Sequence, residues 1–489
     1  MKIFNYLLVA FGLLINVVQG IKYSEEALLD QVIELPGLDY SIEFNQFSGY
    51  LNLPNSTKHL HYWFVESEVN PENAPVVFWT NGGPGCSGLI GFMTEQGPWR
   101  PDSNGNLQPN QWAWNKIANM VFLEQPTGVG FSYSDNTSEY RIGDDQTAKD
   151  NLAIIIQFLS RYPHLKLNPL YITSESYGGH YIPELSLEII EYNKKVASGD
   201  KINFAGMAVG NPYVDYYSGS GAQMETYNNF NLLPKPLWDE YVKQGCTNPL
   251  TMLNNSICST YFLRFSKLVG NLNPYALEFP VCVTAQQSKF TDYLFDRLDT
   301  SRTNRYVLSP NVKLFDSVPL LDTYEPCEDN WANDYLNKLD VKKALHVKED
   351  IVWEECSRTT KYELIDKMRS TVRDYRQILE DKSVPDFKMM VYSGDVDGVC
   401  GTVYTQKWIF DLGFGYERDY LWKSWTVQGQ TAGYITKFNT PNFGHKDSKD
   451  SRLVFATIHG AGHEVPTYKP EEAFVLFEAF LNDKIDNLV

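Results

Sequence analysis

Ser176 stands in the run Ser174-Glu175-Ser176-Tyr177-Gly178-Gly179, after an apolar stretch and before a helix-like pattern over 181–192. A serine on a sharp strand-to-helix turn projects its hydroxyl from the end of a sheet, and small neighbours permit the turn. The amides that open the following helix are placed to face a developing oxyanion. Serine occupies position 174 where such turns usually carry glycine, so strain is expected there. A proton acceptor is available in His463, within Gly460-Ala461-Gly462-His463-Glu464-Val465-Pro466. No second histidine lies four residues on and Pro466 follows, so a metal-binding helix is not expected, and no metal or cofactor is called for. The loop Ser393-Gly394-Asp395-Val396-Asp397 supplies an acid between the two in chain order. Either Asp395 or Asp397 could orient the imidazole and stabilise its charged form. The other would bond loop amides, as aspartates in turns do. The chemistry in prospect is nucleophilic attack by serine with proton transfer through histidine.

Each of these residues must be carried by an element, and the apolar runs show which. Strand-like runs cover 76–80, 120–123, 170–173, 204–209, 388–392 and 453–458. They alternate with helical patterns, the signature of a parallel sheet with crossover helices. Each run is followed at once by glycine and polar residues: Asn81-Gly82-Gly83-Pro84-Gly85, Gln125-Pro126-Thr127-Gly128, the Ser176 turn, Gly210-Asn211, the aspartate loop, and His459 onward. Chemistry in such sheets collects at the carboxyl ends of the strands. Between about 216 and 340 the pattern changes to Asn, Ser, Tyr and Pro with short aperiodic apolar runs and four of the seven cysteines. The expected class is α/β: a mostly parallel central sheet flanked by helices, with an inserted cap. The expected spans are a signal peptide over 1–20, core over 21–215, cap over 216–340 and core again over 341–489.

Bulk properties narrow the partners. With 42 Lys and Arg against 60 Asp and Glu, the formal net charge is -18, which excludes a nucleic-acid or anionic-membrane surface. An acidic compartment suits that balance. Residues 4–18 are apolar apart from Asn5, Gly12 and Asn16, and small Val18 and Gly20 suit cleavage after Gly20. The run is too short and interrupted to span a bilayer, so no membrane association is expected after cleavage. Seven cysteines without a C-x-x-C pair read, in an oxidising compartment, as up to three disulfides and an odd thiol. Glycosylation sequons stand at Asn55, Asn136 and Asn254.

The glycine loop at 81–85, the Glu-Ser-Tyr-Gly-Gly turn, the Ser-Gly-Asp-x-Asp loop and the Gly-Ala-Gly-His-x-Val-Pro loop together resemble the serine carboxypeptidase family of α/β-hydrolases. Phe47-Ser48-Gly49-Tyr50, 112–115, 128–133, Asn273-Pro274-Tyr275 and 335–346 match as well, collinear from about 35 to 481. The resemblance implies Ser176 as nucleophile, His463 as base and Asp397 as acid, with the Gly83 and Tyr177 amides as oxyanion hole. It implies that Asn81 and Glu175 bind the substrate's terminal carboxylate, with Glu95 behind them, the Gly82 amide helping and Trp79 lining the site. It pairs Cys86 with Cys356, Cys246 with Cys258 and Cys282 with Cys327, and leaves Cys400 as a free thiol. Glu464 would face the leaving residue and accept basic side chains.

The activity so implied is release of single residues from peptide or protein C-termini at acidic pH through an acyl-enzyme. A homodimer is compatible with it, as is a secreted, vacuolar or lysosomal location. Two other readings share the scaffold: an acyltransferase, and a protective or binding protein. Family acyltransferases tend to carry Asp before the nucleophile and Ser after the tyrosine. Glu175 and Gly178 stand there, which favours the peptidase.

Overall fold

Ten strands set the frame of the protein: β1 Gln46–Asn52, β2 Lys58–Val65, β3 Val76–Thr80, β4 Asn119–Leu123, β5 Leu170–Glu175, β6 Phe204–Gly210, β7 Lys388–Gly394, β8 Lys423–Val427, β9 Gln430–Asn439 and β10 Leu453–Ile458. The computed structural model describes residues 22–248, 251, 255–282, 324–441 and 452–489. The expected signal peptide and the Asn254 sequon lie outside them. Six strands pair in parallel in the order β4-β3-β5-β6-β7-β10. All residues of β3, β4, β5 and β10 are buried, as strands covered on both faces must be. Antiparallel β1 and β2 extend one edge beyond β4, and β9 and β8 extend the other beyond β10.

The period of two along each strand divides the core into two layers. Val76, Phe78, Ile172, Met207, Met389 and Phe455 pack with Ile155 and Phe158 of α1 (Asp144–Arg161), Leu185 and Ile189 of α2 (Gly178–Lys195), and Ile378 of α3 (Val372–Glu380). Val77, Trp79, Phe122, Tyr171, Met390 and Val454 face the other way, onto Leu476, Phe477 and Phe480 of α4 (Pro470–Leu481). The mostly parallel α/β sheet expected from the apolar runs is therefore the one observed.

The region expected as a cap holds helices Tyr216–Asn229, Lys235–Lys243 and Ser256–Val269 among the described residues. Met224, Tyr227, Tyr241 and Phe265 form a small cluster of their own between them. Tyr216–Asn229 reads YYSGSGAQMETYNN, with Gly and Ser where an amphipathic stripe would need apolar residues, so its helix escapes the periodicity rule. Helix Glu328–Leu336 instead sends Ala332, Tyr335 and Leu336 into the main core. Cys86–Cys356, Cys246–Cys258 and Cys282–Cys327 are disulfides, and Cys400 is free and buried. Asn55 and Asn136 are exposed. No helix of the described residues is long and apolar enough to cross a membrane.

Candidate active site

Ser176 sits between β5 and α2 with φ of 59°, in the left-handed region that L-residues seldom enter. The turn is held on both sides: the Ser176 amide donates to Gly210 O at 3.0 Å, and Ser176 O accepts from Tyr213 N at 2.7 Å and Gly179 N at 2.9 Å. The serine at 174 is accommodated because its hydroxyl donates to Thr80 O at 2.6 Å and because Gly178 is bare. A Cβ on Gly178 would lie 2.1 Å from Ser174 Oγ. Gly82 makes the other close approach, since its Cβ would stand 2.4 Å from the Tyr177 amide nitrogen. The 81–85 loop thus lies directly on the elbow, with Gly83 beside it at φ of 109°.

His463 and Asp397 arrive from the ends of β10 and β7, which are neighbours in the sheet. Asp397 is fully buried and accepts from His463 Nδ1 at 2.6 Å. Its remaining acceptor capacity is met by Asn211 Nδ2 at 2.8 Å, Val399 N at 2.7 Å and Cys400 N at 3.2 Å. Asp395 points elsewhere, to the Gly460 amide at 2.7 Å and the exposed His459 ring at 2.8 Å. Burial opposes a charged imidazole here. The Asp397 charge and hydrogen bond, joined by Glu464 and Glu95, outweigh it and push His463 up to about 9. The His463 amide donates to Tyr275 O at 2.7 Å, and the Tyr275 ring meets the imidazole edge-on at 5.0 Å.

A second constellation lies next to the elbow. Asn81 Nδ2 donates to Glu95 Oε1 at 3.0 Å and to Glu175 Oε1 at 2.9 Å, all three residues being at least 96 % buried. The amide is fixed by its other end, where Oδ1 accepts from Trp79 Nε1 at 2.8 Å and Gly91 N at 3.1 Å. Burial and then the nearby Glu464 charge push Glu95 up to about 8. Burial and then the Glu95 charge hold Glu175 well above the ordinary carboxylate range. Ionising both acids would set like charges side by side in a buried site, so the pair keeps a proton where free carboxyls have lost theirs. Glu95 Oε2 is buried and makes no hydrogen bond. Glu464, half-buried beside His463, is pushed up to about 7, by burial first.

Of the residues singled out from sequence, Asp395 is directed away from His463, and Trp79 stands behind Asn81, to which its Nε1 donates. Trp79, expected to line the site, is fully buried in the core and acts from behind Asn81. Its position on a strand buried on both faces leaves its ring no path to the surface. Asn211 and Tyr275 stand in the runs Gly210-Asn211 and Asn273-Pro274-Tyr275, which by themselves assign neither a role. Among the described residues Asp144, His180 and Glu184 offer ligand atoms within 4.8 Å of one another, behind the elbow. Glu184 is paired with Arg369 and Asp144 accepts from three side chains, so both acids already have partners within the protein, while His180 Nε2 is buried without a hydrogen bond.

A parallel sheet with crossover helices, bearing a strained serine turn and an imidazole bound to a buried aspartate at its carboxyl edge, defines an α/β-hydrolase. The serine carboxypeptidase family model matches residues 36–483, and the chain belongs to that family. Serine carboxypeptidase 24 of Arabidopsis thaliana is 32% identical over 469 residues, covering 94% of each chain. The lysosomal protective protein of Mus musculus is 34% identical over 475 residues, covering 93% of this chain and 94% of its own. The crystal structure of Kex1(delta)p, a prohormone-processing carboxypeptidase from Saccharomyces cerevisiae, aligns with a TM-score of 0.73 at 18% identity. That alignment covers 94% of this chain and 96% of Kex1(delta)p. The protein is a serine-type carboxypeptidase.

Proposed function

We propose that the protein releases single residues from peptide C-termini, with Ser176, His463 and Asp397 as its triad. The observation that carries this reading is the buried Asn81–Glu175–Glu95 set, which continues directly into the Ser176 turn. An endopeptidase has no use for a proton-sharing acid pair beside its nucleophile, whereas an exopeptidase must hold one carboxylate. Asn81 and a protonated glutamate can both donate to it. The peptide carbonyl then lies over Ser176, and Ser176 Oγ adds to the carbonyl carbon while its proton passes to His463 Nε2. Asp397 on Nδ1 keeps Nε2 free to accept. The oxyanion takes hydrogen bonds from the Gly83 and Tyr177 amides. His463 returns the proton to the departing amine; water, deprotonated by the same imidazole, then adds to the acyl carbon, and His463 gives that proton to Ser176 Oγ as the bond to the acyl group breaks.

Recognition of this kind sets a pH dependence. As pH rises the acid pair ionises and repels a terminal carboxylate, so peptide binding weakens. As pH falls Glu464 and Glu95 become neutral, and two of the charges that hold the His463 proton are lost. The first effect favours peptide hydrolysis in mild acid, and the second only lessens the opposing tendency of His463 to hold its proton there. Three disulfides and a net charge of -18 are in keeping with a secretory route to a secreted, vacuolar or lysosomal location. Glu464 beside His463 is suited to pair with a basic leaving residue.

Paired KM profiles test the reading, with a peptide and a C-terminally blocked ester compared in wild type and Glu175→Gln. The peptide KM is expected to rise with pH in wild type and to stay flatter in the variant, because glutamine remains a donor. The ester KM should not follow. An identical rise for both proteins would rule out this mode of recognition.

A further inference from the structure

Behind the elbow lies a buried anchor that neither serine attack nor carboxylate binding uses. Asp144, the first residue of α1, is 2% exposed. It accepts from Tyr177 Oη at 3.2 and 3.4 Å, from His180 Nδ1 at 3.0 Å and from Tyr362 Oη. Its own amide donates to Asp366 Oδ2 at 2.9 Å. The ring of Tyr177 stacks on His180 with centroids 4.5 Å apart and on Tyr213 at 6.0 Å. Tyr362 meets the same ring edge-on at 5.5 Å. Burial, and then the Asp144 charge, keep the Tyr177 phenol protonated and therefore a donor.

Tyr177 thus has two fixed ends. Its amide nitrogen lies beneath Gly82, next to the nucleophile, and its phenol is tied to the start of another helix. A tyrosine side chain has two torsions, and when its ring is stacked and its hydroxyl bonded the backbone has little freedom to rotate. We propose that Asp144 is a positioning residue for the oxyanion hole: by holding the Tyr177 phenol and the His180 ring, it sets the direction in which the Tyr177 amide points. This rests on the reading of that amide as an oxyanion donor. Three donors converge on Asp144, so an isosteric Asn would present its NH2 to at least one of them. The network would then relax by turning Tyr177, and a misdirected donor weakens binding of the oxyanion more than binding of the substrate ground state.

The test is Asp144→Asn, with kcat and KM measured on active enzyme counted by organophosphonate titration. It adds the Ki of a peptide aldehyde, whose hemiacetal oxygen occupies the oxyanion hole, and the Ki of a product peptide. We expect kcat to fall roughly 10- to 100-fold, less than for outright loss of a donor. The aldehyde Ki should rise by the same factor, while KM and the product Ki stay within about twofold. Tyr177→Phe, which keeps Asp144 and the stacked ring, should give a smaller parallel change whether or not Asp144→Asn folds. The double variant should be no worse than Asp144→Asn alone, because both act through one bond. An unchanged aldehyde Ki in both single variants overturns the proposal, as does a rate loss that disappears when active sites are counted. A wild type that neither titrates nor binds the aldehyde would instead sink the serine mechanism, and this inference with it.

Discussion

Asp395 and Asp397 stand two positions apart in one loop and have separate partners, which makes their substitution a sharp comparison. Asp397→Asn leaves the shape but offers His463 Nδ1 a donor in place of an acceptor, so the imidazole adopts the wrong tautomer. Turnover is expected to fall by roughly 10³–10⁴. Asp395→Asn loosens only the Gly460 and His459 contacts, and should lower the melting temperature while leaving kcat nearly intact. Steady-state kinetics beside thermal melts would separate the two, and the opposite pattern would exchange their roles. Cys400 bonds Asp397 through its amide, and burial holds its thiol well above the usual range. A small mercurial is expected to inhibit slowly, and Cys400→Ser to abolish that inhibition in a timed assay. Ser176 and His463 are legible in the sequence because each follows an apolar run and has a glycine within two residues. The choice between the two aspartates was not legible from their loop alone; it needed the family pattern. Asn211 and Tyr275 were illegible for a physical reason: their contacts with Asp397 and His463 span 186 and 188 residues and, for Tyr275, run partly through a backbone carbonyl.

The loop from Asn81 to Cys86 is held to the far part of the chain by more than its disulfide. Ser87 N donates to Glu355 O at 2.7 Å and Ser357 N to Gly85 O at 2.8 Å. Trp353 Nε1 and the Ser87 hydroxyl both donate to Glu124 at the end of β4. Removing the Cys86–Cys356 link as a double Ser variant should therefore cost about 2–5 kcal/mol in denaturant unfolding, since it closes a long loop. It should spare much of the turnover, because the hydrogen bonds keep the loop in place. Equal stability with and without the link would show that it does not stabilise the fold by restricting the unfolded chain. The same scale shows why some elements could be read and others not. Strands β3 and β10 matched their apolar runs because they are buried on both faces. Strand β2 reads KHLHYWFV, and its Lys58, His59 and His61 hide it from a search for apolar runs. Lys58 and His61 are satisfied inside, by Asp150 at 2.5 Å and Glu124 at 2.8 Å, which only tertiary structure reveals.

Across the whole molecule, several buried acids hold protons more tightly when folded than they would in an open chain. Burial foremost pushes Glu95 and Glu328 up to about 8 and Glu464 up to about 7. Between the ordinary value of 4.5 and these, the folded state binds more protons than the unfolded one, so stability falls as pH rises. His463, raised from 6.5 to about 9, acts with the same sign between those values. The protein is thus expected to be most stable near pH 5 and to lose on the order of a few kcal/mol by pH 9. Calorimetric melts across that range check it, and a midpoint that climbs with pH would contradict it. The spread of the site along the chain has one more consequence, in time. A ribosome delivers Asn81, Glu175 and Ser176 long before β7 brings Asp397 and β10 brings His463. With the proposed triad, a growing chain owns its hydroxyl without an imidazole to activate it, and the cell that makes this hydrolase is spared its chemistry until translation has passed residue 463.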